Sequence, residues 1–371
     1  MRVGVVGGGA VGVTAAHDLA VRGADVTLFE KGEVGSESTG RASGLLYDAF
    51  AAPEDARVGD RAIERFREFS GTGDFEFVET PYVWFAREGD ERRADAIREQ
   101  VPRMQAEGRD VGFVDAADLG ARYPELRVDD VAVAAVARNA GRTDPATYAT
   151  AMADAARDAG AVVRTGTGAA VRTDPPRVVT DDGETRFDAV VVAAGAHTKR
   201  VLADAGVAVP LKPYRVQALT CDVDAALPML YDATESYYLR AHPEGVLAGD
   251  GTEETESDPD DWERAGDDAF RETMVDRLGR RLAGVDVTES RVERVWAGLC
   301  TATPDRDPLL GELRDGLYVA TGWQGHGFMR TPAVGEAVAM DVLGEGGIPE
   351  FDPTRFDGDE EFDVVEGMAV E

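Results

Sequence analysis

Cysteine is nearly absent from this chain. Only Cys221 and Cys300 occur in 371 residues. One disulfide is possible but a cystine framework is not, which points to a reducing compartment. Lysine is also scarce: Lys31, Lys199 and Lys212 stand among many arginines. Positive charge as a whole runs short, with 39 basic against 71 acidic residues and a net charge of −32. A field of that sign repels phosphate backbones and anionic lipid surfaces, so nucleic acid and membrane surfaces are poor partners. The acids are spread along the chain, and Asp, Arg and Ala abound, a surface pattern expected of a salt-adapted protein. Long apolar runs are missing. Ala189 to Ala196 is far short of the roughly 20 residues needed to span a bilayer. Arg2 to Val6 is too short for a signal peptide and leads straight into glycines. A cytoplasmic location without an integral membrane segment is expected. The four histidines, two cysteines and paired acids show no metal-ligand spacing, so no metal site is expected.

What is present is a packed globular composition, 43% hydrophobic and 30% charged. The length suits two intertwined domains. Val3 to Val6 is a short β-branched run, read as a buried parallel strand. Val13 to Val21 reads as a helix ended by Gly23, and Asp25 to Phe29 as a second strand with Glu30 at its end. Between them, Gly7, Gly9 and Gly12 match G-x-G-x-x-G, with Ala10 and Val11 inside it. Gly7 permits the tight turn, Gly9 lets a pyrophosphate approach the helix N-terminus, and Gly12 allows close helix–strand packing. Glu30 lies where an acid can accept from ribose hydroxyls. A bound dinucleotide is the expectation.

Further along, Ser38 to Gly44 is a small, polar loop. Residues 60 to 110 carry helical patterns around a strand at Tyr82 to Ala86. Asp144-Pro145 opens an alanine-rich helix to Ala159, followed by a strand at Ala161 to Arg164. Asp188 to Gly195 is a buried strand ending in glycine. Gln217 to Val223, Tyr237 to Arg240 and Gly245 to Gly249 alternate as antiparallel strands do. An acidic stretch from Glu253 leads into a helix ending near Leu282. Strands follow at Val292 to Leu299 and Leu317 to Thr321, then a glycine-rich turn from Gly322 to Gly327. A helix is expected from Pro332 to Leu343, with a peripheral acidic tail after Pro349.

Asp188 to Gly195 resembles the second flavin-associated strand of the glutathione-reductase-type FAD fold. Trp296 to Asp305 with Pro308 and Gly311, and Gly322-Trp323-Gln324-Gly325-His326-Gly327-Phe328 with Pro332 to Glu336, resemble the D-amino-acid oxidase, glycine oxidase and sarcosine oxidase superfamily. Thr39 to Gly44, Asp144-Pro145, Pro210 to Gln217 and Tyr237 to Arg240 are smaller matches in the same order. The resemblance implies an α/β fold. A Rossmann-type FAD domain would be assembled from residues 1–50, 140–212 and 300–371. An inserted α+β substrate domain with an antiparallel sheet would use 51–139 and 213–299.

It also implies noncovalent FAD. The expected cofactor-binding residues are Gly7, Gly9, Ala10, Val11, Gly12, Glu30, Lys31, Arg41, Ala42, Ser43, Gly44, Val171, Ala194, Gly195, Gly298, Gly325, His326, Gly327, Phe328 and Met329. Two departures stand out. Cys300 occupies a position where the family commonly has a substrate-gripping arginine. Gly298 occupies the position where some sarcosine oxidases attach flavin through cysteine. Candidates to hold or act on the substrate are Arg330, Tyr238, His326, Arg41 and Arg240. Arginine suits a carboxylate because its fork binds bidentately. His17, His197 and His242 are read as non-catalytic. The expected activity is oxidation of the C–N bond of an amino acid or N-methyl amino acid by hydride transfer to flavin N5. A 2-hydroxy-acid dehydrogenase, with His326 as base, and a non-catalytic FAD-binding subunit remain open. So does the electron acceptor, whether oxygen, a quinone or a carrier protein.

Overall fold

A computed structural model of the protein describes residues 1–365. Its first sheet has six strands. In spatial order they are Leu309–Arg314, Leu317–Thr321, Ala189–Val192, Arg2–Val6, Asp25–Phe29 and Val162–Arg164. All pair in parallel except Leu309–Arg314, which closes one edge antiparallel. The β-branched runs follow from burial on both faces. Val3, Val5, Ala189 and Val191 enter one apolar cluster, while Val6, Val190 and Val192 enter another. That alternation is the two-residue period of a strand.

Three helices cover one face: Ala10–Val21, Pro145–Asp158 and Gly327–Val342. A small sheet of Ala170–Arg172, Arg177–Thr180 and Gly183–Arg186 covers the other, together with the short helix Thr198–Ala203. Below the first helix, the buried Arg65 guanidinium donates two hydrogen bonds to Asp18, at 2.6 and 2.7 Å, and one to the Pro332 carbonyl at 2.6 Å. Burial raises the Asp18 pKa, but hydrogen bonds from His17 and Arg65 outweigh it and hold the acid below its usual value. This fork ties the first and last helices together.

The second sheet has eight strands. In order they are Val292–Ala302, Lys212–Cys221, Gly245–Gly249, Tyr237–His242, Met229–Asp232, Tyr82–Arg87, Val131–Ala137 and Val111–Phe113. The expected antiparallel sheet is corrected at one joint. Met229–Asp232 pairs in parallel with Tyr82–Arg87. The two strands come from distant chain segments, so no hairpin imposes their direction. Asp232 is fully buried at this joint and accepts from Arg87 at 2.6 and 2.8 Å and from Arg281 at 3.1 Å. Removing one partner of such a pair costs about 3–5 kcal/mol, because a buried charge is left alone.

Two further expectations change. The last helix begins at Gly327, not Pro332, and Pro332 lies inside it. The Pro332 ring removes one backbone donor there, yet the Arg65 fork and the packing against Thr14 and Ala15 hold the helix through it. The tail is not peripheral in its described part, up to Val365; residues 366–371 lie outside the described residues. Phe351 is fully buried, Val364 packs with Tyr214 and Ala302, and the Val365 carbonyl accepts from Gln324 at 2.6 Å. Apolar residues spaced through an acidic stretch are enough to bring it back onto the body. Among the described residues, no helix is long and apolar enough to cross a membrane.

Candidate active site

A cavity of about 370 Å³ runs between the two large sheets. One end is main chain. Gly7 sits at φ 114° on the turn from first strand to first helix. A side chain there would strike the Ala193 carbonyl, and one at Gly12 would strike the Gly7 carbonyl. Gly12 is therefore a packing glycine below the cavity, while Gly7, Gly9, Ala10 and Val11 line it. The Ala10 N–H donates to the Thr39 hydroxyl at 3.0 Å, and the first helix aims its N-terminus at the same wall. Glu30 accepts from Gly8 at 2.6 Å and Gly32 at 2.7 Å. A carboxylate has about four acceptor sites, so two remain for ribose hydroxyls. Lys31, Ala42, Ser43, Gly44, Ala194 and Gly195 line the cavity.

Val171 does not. It is fully buried in the small sheet, and Thr167, Gly168 and Ala169 line the cavity instead. Its β-branched side chain is drawn into the apolar cluster with Val6 and Phe29, and the preceding turn is left at the wall.

The opposite wall is formed by the Gly322–Gly327 turn and the start of the last helix. Gly325, Gly327, Phe328 and Met329 line it. The first N–H groups of a helix have no partner within it and attract negative charge. A Cβ on Gly327 would collide with Trp323. The residues present fit a flavin dinucleotide: one helix N-terminus for each end, glycines where backbone must approach, and an acid for the ribose. Among the described residues, no group of three or more His, Cys, Asp or Glu could hold a metal ion.

The remaining wall is side chain. Arg41 lies across Gly298, where an added Cβ would meet the Arg41 Cβ at 3.2 Å. Its loop is tied down by Ser38 donating to the Leu299 carbonyl at 2.7 Å and Trp296 donating to the Arg41 carbonyl at 3.0 Å. Arg41 Nε is buried with no hydrogen-bond partner, and the guanidinium sits 5.7 Å from the Trp262 ring. Burial lowers its pKa and the nearby Arg264 and Arg294 add to that, with Glu37 opposing. Glu37 is itself paired with Arg264 at 2.9 Å, so an anion entering the cavity would add to the neutralisation of Arg41. Tyr238 also lines the cavity, its hydroxyl resting over Gly249 on the next strand. Burial and the charge of Asp250 push its ionisation well above the usual range, so it stays a donor. Cys300 lies in the same wall. Cys221 is buried elsewhere and forms no disulfide.

Three candidates are placed otherwise. Arg330 turns away from the cavity lining and pairs with Asp55 at 2.9 Å, over the Phe50 ring. Arg240 donates to the Ser43 carbonyl at 2.5 Å and the Ala241 carbonyl at 2.9 Å, and burial beside Arg142 pushes its pKa down to about 10. It buttresses the wall from behind. His326 caps the last helix and packs edge-on against Tyr47 and Phe50. Burial and Arg330 push its pKa down to about 3, so its imidazole is neutral. Sequence reasoning missed Gln217, Asp250, Thr252 and Trp262, all lining the cavity. Trp262 lies within the acidic stretch and Thr252 just before it, where nothing marked them. Asp250 follows a strand-ending glycine, a signal shared with any turn.

The DAO family profile, described as FAD dependent oxidoreductase, matches residues 2–340. Human mitochondrial dimethylglycine dehydrogenase is 27% identical over 95% of this chain but 43% of its own length, so the chain spans less than half of that relative. Glycine oxidase of Geobacillus kaustophilus is 26% identical over 91% of both proteins. Among solved structures, L-proline dehydrogenase from P. horikoshii superposes with a TM-score of 0.83 at 28% identity, covering 96% of this chain and 97% of that one. The chain belongs to the DAO family of FAD-dependent oxidoreductases.

Proposed function

We propose that the protein oxidises the C–N bond of an amino acid or N-methyl amino acid, with noncovalently held FAD. The observation that carries this reading is Arg41, a cavity-lining arginine whose buried Nε has no hydrogen-bond partner. A carboxylate is the anion its fork fits best. Glycine oxidase and L-proline dehydrogenase among the similar proteins support an amino acid as the substrate. We infer that residues 1–50, 140–212 and 300–371 serve the flavin, and 51–139 and 213–299 the substrate. The two large sheets support that division; residues 366–371 lie outside the described residues.

In this reading the flavin supplies the two-electron sink that takes a hydride from the substrate carbon. The chain's own residues do the positioning. Arg41 grips the carboxylate, and the protonated Tyr238 hydroxyl donates to the same substrate. Trp262, Trp296 and Leu299 keep water from the reacting carbon. Fixing the substrate in one pose is the main contribution of the protein to the rate. An amine that has lost its proton needs no further base while hydride leaves, whereas an alcohol does. His326 stands outside the cavity lining, so it is not placed to be the base that a 2-hydroxy acid would need there.

The test is anaerobic flavin bleaching of the holoenzyme in high salt. The panel is D- and L-amino acids, sarcosine, proline and 2-hydroxy acids. Bleaching by one or more of the amines, and by no hydroxy acid, is expected. Bleaching by a hydroxy acid alone overturns the proposal, as does a yellow protein that nothing in the panel reduces.

A further inference from the structure

Asp250 is a cavity residue with no role in the carboxylate end of the site. It directly follows the strand Gly245–Gly249 and holds φ 106°, a conformation that non-glycine residues rarely adopt. Strain of this kind persists where the surroundings impose it. Here the Asp250 N–H donates to the Gln217 carbonyl at 3.2 Å, and the Thr252 hydroxyl donates to Asp250 Oδ1 at 3.1 Å. The Tyr238 hydroxyl lies over Gly249, one residue away, so Tyr238 and Asp250 share one corner.

That corner lacks a cation. Among the described residues, Asp250 forms no ion pair. Arg277, on the helix Asp268–Arg281, is the arginine whose charge reaches it, yet Arg277 pairs with Glu235 at 3.5 Å and lies 5.5 Å from the Tyr237 ring. Arg215, on the neighbouring strand, is taken by Glu253 and Asp267. Among the described residues, the cavity thus has an acid without an ion pair at Asp250 and a guanidinium without an ion pair at Arg41. An amino acid carries the matching pair of charges.

Resting on the amine reading above, we propose that Asp250 receives the substrate's amino nitrogen, accepting its N–H hydrogen bond and then its proton. In that step the ammonium N–H bond breaks and an Asp250 O–H bond forms. The electron pair stays on nitrogen, where C–N oxidation requires it. The class of ligand is a primary or secondary amine bearing a carboxylate. Burial supports the role, since it raises the Asp250 pKa to about 6, with Thr252 and Arg277 opposing. Above that pH the carboxylate is charged and ready to accept; below it, it is already protonated. The groups facing it are Tyr238, Thr252, Gln217 and Arg277, with Glu253 and Asp267 behind Gln217.

The test compares wild type, Asp250→Asn and Asp250→Glu as FAD holoenzymes. Each is titrated with isosteric pairs: glycine against propanoate, and proline against cyclopentanecarboxylate. Binding is read from the flavin spectrum and turnover from anaerobic bleaching over a pH series. In Asp250→Asn, action on the amines should fall about tenfold to a hundredfold. The carboxylate-only ligands should bind as well or better, because a repelling charge is gone. The limb of the wild-type profile near pH 6 should vanish, and Asp250→Glu should recover part of the loss. Equal losses for amines and their isosteres would overturn the proposal, showing a merely structural role. So would amine turnover that is unchanged in Asp250→Asn while wild type is active. A wild type that no amine reduces overturns the amine reading itself.

Discussion

At the Gly7–Gly12 end of the cavity the wall is main chain; at the Tyr238–Asp250 end it is side chain. The first end is specified by what cannot be there. Gly7 has a positive φ and Gly12 touches a carbonyl, so almost any other residue is excluded by geometry. The second end is specified by what happens to be unpaired. Arg41 and Asp250 gain meaning because, among the described residues, other chain segments leave them without an ion pair: Glu37 pairs with Arg264, and Arg277 with Glu235. A backbone wall tolerates one cofactor shape. A side-chain wall can be rewritten residue by residue, which is how one fold comes to serve many substrates.

The main-chain end should fail most completely in Gly12→Val. Overpacking against the Gly7 carbonyl should cost about 3 kcal/mol or more, and the purified chain should lose its yellow colour. A Gly12→Val protein that keeps stoichiometric flavin, judged by the ratio of flavin to protein absorbance, would remove the main-chain end from the account. Arg330→Ala probes the boundary between the ends. It leaves Asp55 buried without its partner, so a stability loss of about 3–5 kcal/mol in denaturant unfolding is expected. The KM of the protein that remains folded should hold near wild type. A raised KM with unchanged stability would instead return Arg330 to the substrate.

The same contrast decides how much could be read in advance. The strands at Val3, Asp25, Ala189 and Leu317 were legible because burial on both faces leaves short, mostly apolar runs. The glycines and Glu30 were legible because one spacing serves one geometry. Pro332 misled because proline is at home in a first turn, and contacts far away in sequence, the Arg65 fork and Thr14 and Ala15, hold it inside the helix. Arg330 and His326 stand in a stretch that resembles flavin-facing turns. Which way they point depends on Asp55, Tyr47 and Phe50, which no local pattern reveals. Asp250 and Trp262 were invisible for the same reason: their neighbours come from other strands. The tail followed suit, since Val364 finds its partners at Tyr214 and Ala302.

The assignment of separate jobs to the two ends stands or falls with Arg41→Ala. The variant should retain its flavin in full, while the kcat/KM for anaerobic reduction by amines falls about tenfold to a hundredfold, the cost of about 1.5–3 kcal/mol for a lost charged hydrogen bond. Arg41→Ala protein that loses its flavin, yet is reduced with an unchanged KM once FAD is restored, would contradict it.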